Sequence, residues 1–209
     1  IFVNYEDFNE DITQICAQHN SEPVWFFSGY DCDSLAYEPV TQFADYFVPE
    51  FSKIDNAWLE LRTKSTQVRQ LLKHEPCNRI VTAFSFTEQH SHDKLEHGVP
   101  SIEKRIDAMK LLADAGWPIG LRFDPIVYHD NYQASFSHLL ETIFATIDAN
   151  QLHSVSLGAF RLPKNNFRQI NKLYPDEPLF AQNLALNDGI VGYPLTLENE
   201  MMRYCEQQL

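Results

Sequence analysis

With 209 residues, the chain has room for one domain or two small ones. Its 44% hydrophobic content includes enough aromatic residues for a packed core, which excludes a disordered chain. Asp and Glu (29) outnumber Lys and Arg (16), a formal charge of −13 that argues against sequence-independent binding to phosphate backbones but leaves room for a local basic cleft.

Residues 1–4 read as a strand, and 6–19 as a helix with Phe8, Ile12, Ile15 and Cys16 on one stripe. VWFF at 24–27 is a buried-type strand ending at Ser28-Gly29. Residues 41–47 read as a helix, 57–62 as a strand, 66–73 as a helix and 80–86 as a strand. A polar loop over 88–100 leads into a helix over 101–115, capped by Ser101, striped by Ile102, Ile106, Met109 and Leu112, and stopped by Gly116. A strand at 119–123, a long helix at 132–149 and a strand at 154–162 follow. Pro163 opens a short helix, since proline suits a first helical position. Residues 175–192 read as loop and 197–207 as a final helix.

About six strand–helix units in succession imply an α/β fold with a mainly parallel sheet, because only a crossover returns the chain in parallel. Both a doubly wound sheet and a barrel satisfy this. The unit length favours a partial, open TIM-like (β/α)6 barrel within one domain over 1–209. No apolar run reaches the roughly 18–20 residues of a membrane span, and the opening IFVNYEDFNED lacks the features of a signal peptide. Cys16, Cys32, Cys77 and Cys205 are scattered without zinc or iron–sulfur spacing and read as free thiols of the reducing cytoplasm. The chain begins at Ile1, inside the first expected strand, which suggests part of a longer protein.

Parallel α/β proteins carry their chemistry at the C-terminal ends of strands. That rule picks out Ser28 to Ser34, Arg62 to Lys64, Ser85 and Thr87 with His90 and His92 beyond, Arg122 with Asp124 and Tyr128 to Asp130, and Arg161 with Lys164. Such a rim suits a small anionic or zwitterionic ligand with a ribose-like part. Each residue also has a structural reading. Lys64 could be solvated, and Cys32 a small buried side chain. Arg122 and Asp124 share a strand face and could pair inside the barrel. The run His90-Ser91-His92-Asp93, with His97, reads more readily as a solvated loop than as a metal site. His138 and His153 read as surface residues.

The strand exits, in this order and spacing, resemble the spore photoproduct lyase-like radical S-adenosylmethionine family over nearly the whole chain. The segments concerned are IFVNYEDF, FSGYDCDSLAYEPVT, LELRTKSTQVRQLL, IVTAFSFTEQ and FRLPK with the later Tyr174-Pro175. The most specific is PSIEKRIDAMKLLADAGWPIGLRFDPI, with its Arg105-Ile106 pair and Ala-Gly-aromatic-Pro turn. The resemblance implies a partial (β/α)6 barrel that binds S-adenosylmethionine across its strand ends. A [4Fe–4S] cluster cleaves that cofactor to a 5′-deoxyadenosyl radical, which abstracts hydrogen from a substrate. The family holds the cluster in a Cys-x3-Cys-x2-Cys loop upstream of the position of Ile1, and this sequence has no such loop. The expectation is therefore a C-terminal portion, inactive by itself.

The resemblance also implies roles for single residues. Lys64 matches a lysine that contacts the cofactor's methionine carboxylate, and Ser85 a serine on the same ligand. Cys32 stands where the lyase has a cofactor-contacting serine. Asp124 stands where it has a small apolar residue beside the adenosine, and Arg122 is grouped with the cofactor-binding set. Tyr30 stands where the lyase has the cysteine that returns a hydrogen atom to the repaired thymine, with Cys32 two residues away. This favours a homologue with another substrate. DNA stays open as a partner but is disfavoured by the charge. Two other readings compete. One is a self-contained divalent-metal hydrolase or isomerase using His90, His92, His129 and Asp124 or Asp130. The other is a non-catalytic binding module.

Overall fold

A computed structural model describes residues 4–28 and 32–209. Five strands, β1 (Val24–Phe27), β2 (Ala57–Thr63), β3 (Ile80–Ser85), β4 (Ile119–Ile126) and β5 (Leu152–Ala159), form one parallel sheet in chain order. Each strand pairs with its successor, so every crossover steps the same way and the sheet curls. In a flat sheet β1 and β5 would lie about 19 Å apart, four strand spacings. Yet the Trp25 ring on β1 lies 5.8 Å from the His153 ring on β5. The architecture is thus the open half-barrel expected. Of the first expected strand, residues 1–3 lie outside the described residues, and Asn4 flanks a helix, α1 (Tyr5–Gln18).

The two faces of the sheet differ. Leu59, Leu61, Phe84, Leu121 and Phe123 alternate toward the helices and are buried. Glu60, Arg62, Ser85, Arg122 and Asp124 occupy the intervening positions and line the concave face. A closed barrel fills its interior with branched apolar residues. The concave face here carries charged side chains instead.

The single helix expected over 41–47 is two, α2 (Glu38–Thr41) and α3 (Phe43–Ser52), broken at Gln42, whose φ is 51°. The buried Glu38 carboxylate bridges the break by accepting from the Ala44 amide at 2.9 Å. Residues 66–73 hold only a 3₁₀ turn, Leu71–Lys73. Here the Thr63 and Ser65 hydroxyls accept from the Ser65 and Gln67 amides, competing with a helical start. Conversely, the expected loop at 88–100 contains α4 (Gln89–Leu95), because the Glu88 carboxylate caps it by accepting from the His90 and Ser91 amides. Helix α5 (Ile102–Asp114) has its Ser101 cap, and Gly116 follows it at φ 87°.

Helix α6 (Tyr132–Phe144) ends short of residue 149. The strand expected over 154–162 is β5 followed by β6 (Arg161–Pro163), which joins a second sheet. After α7 (Lys164–Leu173), the expected loop at 175–192 holds a hairpin, β7 (Ala185–Asn187) and β8 (Ile190–Gly192), in the order β6-β8-β7. Asp188 and Gly189 both have positive φ, the geometry of a two-residue hairpin turn. Helix α8 (Leu195–Gln208) buries Met201 and Cys205. Among the described residues, no helix is long and apolar enough to cross a membrane.

Candidate functional site

The C-terminal ends of β1 to β5 gather three charged clusters on or beside the lumen. In the deepest, Arg122 on β4 lies against Glu60 on β2. Its Nε and Nη2 donate to the two carboxylate oxygens at 3.1 and 2.7 Å. Nη1 donates to the Leu121 and Ser154 carbonyls, and Nη2 to the Ser154 hydroxyl. Both side chains are buried. A Cβ on Gly120 would sit 3.0 Å from Arg122 Nη1, so a residue with almost no bulk lets the guanidinium lie along the wall. Arg122 therefore does pair inside the barrel, but with Glu60 rather than with Asp124. Neighbours two apart on a strand run parallel, and each finds a partner on another strand.

The second cluster lies nearer the mouth. Asp124 sits between two guanidiniums. Arg161 approaches it with both terminal nitrogens at 3.2 Å, and Arg62 lies 3.5 Å from Oδ2. Arg62 Nε also donates to the Ser85 hydroxyl at 3.3 Å. Gly158 makes room for this arrangement: a Cβ there would fall 2.6 Å from Arg161 Nη1 and 2.9 Å from the Asp124 carboxylate.

The third cluster carries Lys64. Asp33 fastens its backbone: Oδ1 accepts from the Leu35 and Ala36 amides and the Thr63 hydroxyl, and Oδ2 from the Lys64 amide at 2.6 Å. The Lys64 ammonium donates to Glu96 Oε1 at 2.6 Å. Glu96 Oε2 faces the fully buried Arg105 and lies 3.0 Å from His92 Nδ1. Arg105 also donates to the Pro100 and Ser85 carbonyls. Burial alone would raise the Glu96 pKa. The Lys64 ammonium, with the His92 contact and the Arg105 charge, outweighs burial and holds it at about 2.

A pocket of about 400 Å³ lies beside the mouth, walled by α4, residues 127–130, residues 177–183 and the start of α8. In it the His90 and His129 rings stack at 4.3 Å, and His129 Nε2 lies 3.4 Å from the buried Glu88. Burial lowers the His129 pKa, against the opposing pull of Glu88. The Tyr193 hydroxyl accepts from the Tyr128 amide, and burial pushes its pKa up to about 12.

Of the residues singled out in the sequence, Arg62, Lys64, Ser85, His92, Arg122, Asp124 and Arg161 belong to these clusters. Cys32 is exposed on the loop after β1, and Tyr30 lies outside the described residues. Glu60 and Glu96 escaped the sequence reading. Glu60 meets Arg122 and Glu96 meets Lys64 across 62 and 32 residues, which no local spacing marks; only the His92–Glu96 contact, four residues apart on one helical turn, carried a local signal. The ligand set of the metal-hydrolase reading is divided between clusters: His92 turns to Glu96, His129 to Glu88 and His90, Asp124 to two arginines. Among the described residues, no three His, Cys, Asp or Glu side chains converge to hold a metal ion.

The family model described as spore photoproduct lyase matches residues 1–186. The chain belongs to the spore photoproduct lyase family. It is 25% identical over 180 residues to the spore photoproduct lyase of Bacillus subtilis (strain 168), covering 85% of this chain and 53% of that protein. It is 23% identical over 186 residues to that of Geobacillus sp. (strain Y412MC61), covering 86% and 53%. It thus spans about half the length of these lyases. A solved spore photoproduct lyase double mutant with bound AdoMet and dinucleoside spore photoproduct has the same fold, with a TM-score of 0.91 at 19% identity, over 100% of this chain and 64% of that one. A second lyase structure, complexed with dinucleoside spore photoproduct, gives 0.90 at 18% identity over the same shares.

The two groups that the family uses fare differently against these residues. A concave face with ammonium, guanidinium, hydroxyl and carboxylate side chains fits a zwitterionic, ribose-bearing ligand such as S-adenosylmethionine. Among the described residues, the four cysteines do not come together as a ligand set for an iron–sulfur cluster. Cys16 and Cys205 are buried on α1 and α8 with their thiol pKa values raised, and Cys77 and Cys32 sit on two further segments.

Proposed function

We propose that this chain forms the cofactor- and substrate-facing half-barrel of a radical S-adenosylmethionine enzyme related to spore photoproduct lyase, a cytoplasmic DNA-repair-lyase-like protein. In this reading the [4Fe–4S] cluster is held by a segment outside the 209 residues. The observation that carries it is the charged concave face at the strand ends of a half-barrel of the spore photoproduct lyase family, one solved member of which holds AdoMet. Bound and reduced, the cofactor would supply hydrogen-atom abstraction. The rest falls to side chains. Lys64 would take the cofactor's carboxylate, exchanging part of its pairing with Glu96. Ser85 and Cys32 would add polar contacts, and the Asp124 carboxylate would accept from a ribose hydroxyl. Arg122, held by Glu60, would keep the wall rigid behind the ligand. Tyr30, at the hydrogen-donor position implied by the resemblance, argues for a substrate other than the thymine dimer.

Calorimetric titration of S-adenosylmethionine into the chain tests this reading. The chain should bind it, and Lys64→Ala should weaken binding by about 1.5–3 kcal/mol, the worth of a charge-assisted contact, with the circular dichroism unchanged. Equal affinity in the variant removes Lys64 from the site. No binding by the unaltered chain rejects the half-barrel as a self-sufficient cofactor surface.

A further inference from the structure

The lumen holds three arginines in two different states. Arg122 is spent: buried, it donates to both oxygens of Glu60, to two carbonyls and to a hydroxyl. Arg62 and Arg161 are not. They share the single carboxylate of Asp124, their side chains are 37% and 52% exposed, and Arg62 reaches it only at 3.5 Å. A guanidinium carries five N–H donors. Among the described residues, Arg62 uses Nε on Ser85 and one terminal nitrogen on Asp124; Arg161 spends its donors on Asp124 and the Ala159 carbonyl. Counting the described residues of this cluster, two guanidiniums against one carboxylate leave one positive charge over, at the mouth of a lumen in a chain whose net charge is −13. Two planar forks flanking one point match an oxyanion, which such forks bind bidentately.

We propose that Arg62 and Arg161 form a subsite for an oxyanion of the substrate, a phosphate or a carboxylate, separate from the place of the cofactor's own carboxylate. Asp124 holds the two guanidiniums apart and in register until that anion arrives. The proposal deepens the reading of the half-barrel as the reaction site, and it assigns the substrate to the anionic class. Gly158 belongs to the same device, because any side chain there would displace Arg161 from Asp124.

Inorganic phosphate is the probe, titrated calorimetrically into the chain and its variants. Arg62→Gln and Arg161→Gln should each weaken phosphate binding about tenfold or more. Asp124→Asn should tighten it, because the competing carboxylate is gone. A purely structural triad predicts the opposite sign for Asp124→Asn, through disorder of both arginines, and that result overturns the proposal. So does unchanged affinity in folded Arg62→Gln and Arg161→Gln proteins, or no phosphate binding by the unaltered chain. Saturation with S-adenosylmethionine should leave phosphate binding in place. Competition between the two would put the cofactor on these arginines, through its carboxylate or through the ribose at Asp124, and overturn the separate subsite. If phosphate behaves as expected but S-adenosylmethionine does not bind, the subsite stands and the cofactor reading falls.

Discussion

Replacing Glu96 by alanine is expected to destabilise the chain by about 3–5 kcal/mol, the range for removing one partner of a buried ion pair. Most of that loss comes from Arg105. Its guanidinium is fully buried, and Glu96 is its carboxylate partner. The same residue gives the stability a pH dependence with a defined sign. The folded pKa of Glu96 is about 2, below the ordinary carboxylate value, so the unfolded chain binds its proton more readily. The stabilisation is complete above the unfolded pKa and is lost as the pH falls from the ordinary carboxylate range toward 2. Its size is on the order of 3 kcal/mol. Urea unfolding of the unaltered chain and of Glu96→Gln should show a gap near neutral pH that closes as the pH falls toward 2. A gap independent of pH would mean that Glu96 contributes through shape rather than charge.

The second large effect lies deeper in the lumen. Arg122→Ala leaves the Glu60 carboxylate buried without its partner and should also cost about 3–5 kcal/mol. Arg122→Met combined with Glu60→Leu should recover most of that loss, because a buried ion pair and well-packed apolar side chains of similar volume are often equally stable. Denaturant melts of Arg122→Met, Glu60→Leu and the double variant form the cycle that measures this. If the double variant were as unstable as Arg122→Ala, the pair would be indispensable to the fold itself. Recovery would mean that the pair is kept for the polar character of the wall.

Much of this architecture is visible in the residues because its causes are local. The alternation in Ala57–Thr63, the Ser101 cap and Gly116 each act within a few residues, and each sits where the sequence puts it. The hairpin turn at Asp188-Gly189 carried an equally local signal that the loop reading of 175–192 passed over. The site is less legible. Residue types at strand ends mark Lys64, Ser85, Arg122 and Asp124, but not what they touch. Lys64 meets Glu96 only because β2 and the end of α4 reach the same rim, and Arg122 meets Glu60 only because the sheet brings β4 within reach of β2. Curvature and register decide those pairings, and neither is written in any short window of sequence.

The contact across the gap between β1 and β5 has a practical consequence. Trp25 stacks on Trp58 at 4.8 Å, and His153 lies 5.8 Å from the first and 5.7 Å from the second. All three stand at the strand beginnings, the end of the sheet opposite the charged clusters. The first and last strands of the half-barrel are therefore bridged by aromatic rings at that end of the sheet. Trp117, the third tryptophan, is buried and lines the same cleft as Trp58 and His153. Tryptophan emission and near-ultraviolet dichroism thus report, with no label attached, whether the first and last strands stay in contact there.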